Sequence, residues 1–86
     1  MYRLKISEDD LAMLITYVGR HLIRTLKYSS VTKDDYEIVN DDYILLSYLL
    51  SVFGYEGNTY NYLHNVGLDD EYIDFLDLIV VDYLFK

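Results

Sequence analysis

Three stretches of the chain repeat apolar residues at intervals of three and four, the spacing of one face of an α-helix. In the first, Leu11, Leu14, Ile15, Val18, Leu22 and Leu26 form one stripe, which predicts a helix from about Glu8 to Tyr28. In the second, Tyr36, Val39, Tyr43, Leu46, Leu50 and Phe53 predict a helix from about Lys33 to Phe53. The third runs from Asp70 to about Phe85, where Tyr72, Ile73, Phe75, Leu76, Ile79, Val80, Tyr83 and Leu84 cover half the circumference. Gly54-Tyr55-Glu56-Gly57-Asn58 reads as a turn by composition. After it, Asn58 caps a short helix from Thr59 to about Asn65, which Gly67 ends.

The three long helices share a starting pattern of apolar residue, capping residue and apolar residue one turn on. It reads Ile6, Ser7, Leu11 in the first, Val31, Thr32, Tyr36 in the second and Leu68, Asp69, Ile73 in the third. Asp10 and Asp35 stand at the reciprocal capping position of the first two. Acids in these first turns also face the positive end of the helix dipole, so they have a structural role before any chemical one.

The fold class that follows is all-α: one compact single-domain bundle of three to four helices spanning the 86 residues. Its expected buried set is Leu14, Val18, Leu22, Leu46, Leu50, Phe53, Leu76 and Val80. The segment Tyr43 to Phe53 is apolar on nearly every side, which predicts the central buried helix. Gly19 is costly inside a helix, so another element is expected to pack closely there. Ser47 and Ser51, one turn apart, leave room for a close helix neighbour. A competing reading breaks the second helix at Asn40. Residues 36–39 then form a short strand that pairs with an N-terminal strand carrying Tyr2, Leu4 and Ile6.

Charge changes the picture more than composition does. The chain has 15 acids against 7 Lys/Arg, a formal charge of −8, and no Cys, Pro or Trp. Without cysteine, disulfide scaffolds and zinc–thiolate sites are excluded. The negative charge argues against direct contact with nucleic acid. Every base but Lys86 lies within residues 1–33, and residues 34–85 carry twelve acids with no Lys or Arg. Arg20, Arg24 and Lys27 form one row on the polar side of the first helix. Two electrostatically different faces follow, unless the basic part lies against the acidic part. No apolar run reaches the length of a membrane span and none follows the pattern of a secretory signal, so the expectation is a soluble cytoplasmic protein.

Catalytic chemistry finds little footing. The chain offers His21 and His64, without a nucleophile elbow, a phosphate-cradling glycine loop, a metalloprotease helix or a calcium loop. His64 is read as a partly exposed helix residue and His21 as a boundary residue making a hydrogen bond. The pairs Asp34-Asp35 and Asp41-Asp42 point to different sides of a helix, so a metal site needs distant ligands. The reading is no enzyme, no cofactor and no metal.

Eleven tyrosines remain. Tyr55, Tyr60 and Tyr62 lie where no periodicity buries them. Either they present large, low-entropy contact area to a partner, or they cover the end of the bundle. The expected function is a small acidic binding protein that inhibits or neutralises a partner by occupying its basic, nucleic-acid-binding surface. Its contact residues are Asp34, Asp35, Glu37, Asp41, Asp42, Glu56, Asp70, Glu71, Asp74 and Asp77, with Tyr55, Tyr60 and Tyr62 at the patch centre. Such a composition is similar in style to phage-encoded anti-CRISPR and anti-restriction proteins, a likeness that carries no residues over and implies a viral source. It also fits an immunity protein or antitoxin. The alternative is a structural or regulatory homo-oligomer, a dimer through helix 70–85 using Leu78, Val81 or Phe85.

Overall fold

The computed structural model describes residues 6–28 and 31–84, the last two by backbone alone. Among these residues the elements are α1 (Glu8–Tyr28), a 3₁₀ turn (Lys33–Asp35), α2 (Tyr36–Phe53), α3 (Thr59–Asn65) and α4 (Asp70–Leu84). The all-α expectation holds. Residues 36–39 are the first turn of α2, so the strand alternative fails there. Its proposed partner, carrying Tyr2 and Leu4, lies outside the described residues.

Local chemistry explains the boundaries. Ser7 Oγ accepts the Asp10 N–H at 3.1 Å and opens α1. Asp35 reaches back to the Thr32 N–H at 3.0 Å and accepts its hydroxyl at 3.1 Å. That contact tightens residues 33–35 into the 3₁₀ turn, so α2 starts at Tyr36 instead of Lys33. Asn58 Oδ1 accepts the Asn61 N–H at 2.8 Å and opens α3.

The same closure ends α2 and α3. Tyr55 N–H donates to Leu50 O and Gly54 N–H to Ser51 O; Leu68 N–H donates to Leu63 O and Gly67 N–H to His64 O. Each glycine takes a positive φ, 88° at Gly54 and 103° at Gly67, which this closure requires.

The helices pack in two layers. α1 and α2 lie side by side, and α3 with α4 covers one broad side of the pair. Leu22, Val39, Leu46, Leu63, Leu76 and Ile79 are wholly buried between the layers. Gly19 does admit a close neighbour, because a Cβ there would sit 3.3 Å from the Tyr62 ring of α3. Ser47 likewise lets α3 approach α2, bonding both the Tyr43 carbonyl and the Thr59 hydroxyl. Asn40 is buried in the same helix, and its Nδ2 finds no partner among the described residues.

Three expectations about burial need correction. Leu14 is 41% exposed and Phe53 40%. Leu14 lies at the edge of the α1 stripe away from the covering layer, and Phe53 ends its helix. The third correction concerns α2 as a whole. Its outer arc is open, with Ile38, Ile44, Leu45, Tyr48 and Val52 all exposed. All-round apolarity therefore does not mean burial on every side here, because the described helices pack against one side of α2. None of the described helices is long and apolar enough to cross a membrane.

Candidate interaction surfaces

The acids group by helix. α4 turns Leu76, Ile79 and Val80 inward, and its period then places Asp70, Glu71, Asp74, Asp77 and Asp82 on the outward face. Leu78 at 68% and Val81 at 43% exposure stand among these carboxylates. Phe85 lies outside the described residues. At the start of α2, Asp34, Glu37 and Asp41 are exposed, as is Glu56 in the turn.

Several carboxylates are already committed within the fold. Asp35 closes the 3₁₀ turn. Asp42 meets His21 Nδ1 at 2.6 Å, joining α2 to α1. Asp77 accepts the Tyr60 hydroxyl at 3.1 Å. Asp70 lies 3.2 Å from His64 Nδ1, both side chains largely in solvent. Asp34, Glu37, Asp41, Glu71 and Asp74 make no side-chain hydrogen bond or ion pair among the described residues.

Among the described residues the two side-chain contacts at ion-pair distance, His21–Asp42 and His64–Asp70, are both made by histidines, and neither involves Lys or Arg. The internal charge match considered from the sequence is therefore not formed there. Arg20 and Arg24 instead line an open cavity of about 270 Å³ on α1 with Tyr17 and His21. Lys27 lies 5.8 Å from the centres of both the Tyr28 and the Tyr72 rings, a cation–π contact between α1 and α4.

The three tyrosines do not gather at one patch. Tyr60 stacks on Tyr43 with ring centres 5.4 Å apart and sits where α2, α3 and α4 meet. Tyr55 and Tyr62 meet edge to face at 5.7 Å on the α1 side of α3. The Tyr55 hydroxyl also accepts from Asn65 Nδ2 at 2.9 Å. All three are half-buried against the core and close seams between helices.

These seams have an alkaline consequence. Burial pushes the Tyr60 hydroxyl well above the ordinary phenol value of 10.0, with Tyr43 and Asp77 adding to the shift. Burial also raises Tyr62, against a lowering contribution from the Thr16 hydroxyl. Below the ordinary value both folded and unfolded chains keep these phenols neutral, and the stabilisation is complete. Above it the unfolded chain ionises first, so stability falls as pH rises toward the folded values. The urea midpoint is expected to drop between about pH 9 and pH 11, and Tyr60→Phe should flatten that drop. An equally steep fall in Tyr60→Phe would show that Tyr60 is not its source.

Among the described residues no group of three or more His, Cys, Asp or Glu side chains comes together to hold a metal. His64 at the end of α3 and Asp70 at the start of α4 stand open to solvent. The surface that sequence reasoning missed is the outer arc of α2. Its signal lies in Tyr43 to Phe53 being apolar on nearly every side, the same feature that predicts burial from the sequence.

No protein-family model matches the chain, and neither does any curated protein or solved structure.

Proposed function

We propose that this is a small non-enzymatic binding protein whose outward α4 face occupies a basic surface on another protein. The carrying observation is that the α4 carboxylates project outward while no Lys or Arg pairs with any acid among the described residues. Unpaired carboxylates on a rigid helix can stand in for phosphates and compete for the Arg/Lys clusters that hold nucleic acid. A nucleic-acid-binding partner, and an inhibitory or neutralising role toward it, follow from that chemistry. Anti-defence, immunity and antitoxin proteins act in this manner.

The test separates recognition from folding. Asp35, Asp42 and Asp77 hold structural contacts, so their exchange would confound the two. Glu71→Gln, Asp74→Asn and Asp82→Asn combined remove three charges from the open face of α4. Captured partners should bind the wild-type chain with a steep salt dependence, and the triple variant severely more weakly with a shallower slope. Undiminished affinity and an unchanged slope in a folded triple variant would mean that the face is only solvated.

A further inference from the structure

Among the described residues the α1–α2 pair is covered on one broad side. Tyr62 lies against Gly19, Tyr60 stacks on Tyr43, and Lys27 reaches Tyr72, which places α3 and α4 together on that side. The opposite side carries two rows of residues. On α1 the row is Leu14, Tyr17 and His21; on α2 it is Ile38, Asp42, Leu45 and Val52, with the buried Leu49 between the last two, at intervals of three and four. The His21–Asp42 contact at 2.6 Å ties the rows into one surface. Tyr17 is 70% exposed, Ile38 54%, Leu45 46% and Val52 44%, and Tyr48 at 54% extends the surface outward. Within the two rows His21 and Asp42 face each other, and Arg20, Arg24 and Asp41 are exposed beside them.

We propose that this open face is a homodimer interface, in which the α1–α2 pairs of two copies stack about a two-fold axis into a four-helix core. Three features select a second copy as the occupant. The first is area. Leu14, Tyr17, Ile38, Leu45, Tyr48 and Val52 at about half exposure leave on the order of 600 Å² of apolar surface. That reaches the upper range of patches on lone domains and approaches the ~800 Å² per partner of a stable interface.

The second is shape. Two antiparallel helices of 21 and 18 residues present paired rows that a two-fold rotation lays onto themselves, the arrangement of an isologous contact. The third is charge. A chain of net charge −8 repels its own copy unless the acids are kept apart. The α4 carboxylates point away from this face, so stacking puts the five α4 acids of each copy on the outside and leaves Glu37 and Asp41 of α2 at the rim of the contact. The His21–Asp42 pair enters the interface with its partner already in place, which limits the cost of removing it from water. A dimer through α4 would instead press Asp74 and its neighbours against their own copies.

Sedimentation equilibrium from micromolar to millimolar protein tests the interface. The wild-type mass is expected to rise from 10.2 kDa toward twice that value. Leu45→Lys changes an exposed position on the proposed face and is expected to weaken association by on the order of 100-fold, as a charge at an interface centre does. Leu78→Lys makes the same charge change on α4 and should leave association intact. Should Leu45→Lys lose helicity, Tyr17→Lys on α1 is measured in its place. Because the native chain has no cysteine, Leu45→Cys and Leu78→Cys each provide a single thiol. Oxidative cross-linking should favour the first. A species of 10.2 kDa at every concentration overturns the proposal. So does a dimer that tolerates Leu45→Lys and is broken by Leu78→Lys.

Discussion

Replacing Leu46 with alanine is expected to cost ~2–5 kcal/mol, the range for large-to-small exchanges in a core that relaxes only partly. Leu46 is wholly buried on α2, the helix that packs against both α1 and α4. The helices on either side are anchored by their own buried residues, Leu22 on one and Leu76 on the other, so they have little freedom to close the void. Against ~5–15 kcal/mol for a whole domain, the loss takes a large share of the margin. Urea unfolding monitored by circular dichroism reads it as a lower midpoint at nearly unchanged slope. A midpoint within error of wild type would show that α2 is not the centre of the packing.

The second large effect is expected at Gly19, where two substitutions should diverge. An alanine Cβ would stand 3.3 Å from the Tyr62 ring, closer than comfortable contact by a few tenths of an ångström. The ring can yield, because Tyr62 borders an open cavity of about 260 Å³ with Thr16, Ile23 and Val66. Alanine also gains about 1 kcal/mol of helix propensity over glycine. Gly19→Ala is therefore expected to be close to neutral. Gly19→Leu drives a branched side chain into the same ring and should destabilise by ~1–3 kcal/mol. The loosened element should be α3, so amide exchange at Leu63 is expected to quicken more than at Leu46. Equal loss from both variants would mean that the glycine serves backbone conformation instead of close packing.

Local rules made the helices legible in the sequence. The spans Glu8–Tyr28 and Thr59–Asn65 follow from caps and periodicity, and Gly54 and Gly67 mark stops that depend only on backbone within the adjoining turn. The close approach at Gly19 was readable for the same reason, since a helix rarely tolerates glycine without return. The start of α2 was less legible, because Asp35 can cap a helix or tighten a turn and its contact with Thr32 decides between them.

Burial was harder to read. Periodicity says which residues share a face, and only the arrangement of helices says which faces are covered. Leu14 and Leu45 carry the same apolar character as Leu22 and Leu46, yet the first two lie on the side of the α1–α2 pair that no described helix covers. The candidate acids show the same limit. Asp35, Asp42 and Asp77 look like Asp34, Asp41 and Asp74 in composition, and the fold gives the first three hydrogen-bond partners within the chain.

Among the described residues Arg20 and Arg24 on α1 make no ion pair with the outward carboxylates of α4, and this arrangement gives the fold an electric dipole beyond its net charge. Such a field acts on orientation before contact. Within the ~10 Å reach of electrostatics at 0.1 M salt, a positively charged object turns the chain so that α4 leads. A negatively charged one turns it so that the Arg20–Arg24 edge leads. Raising the ionic strength removes this alignment while leaving every helix in place.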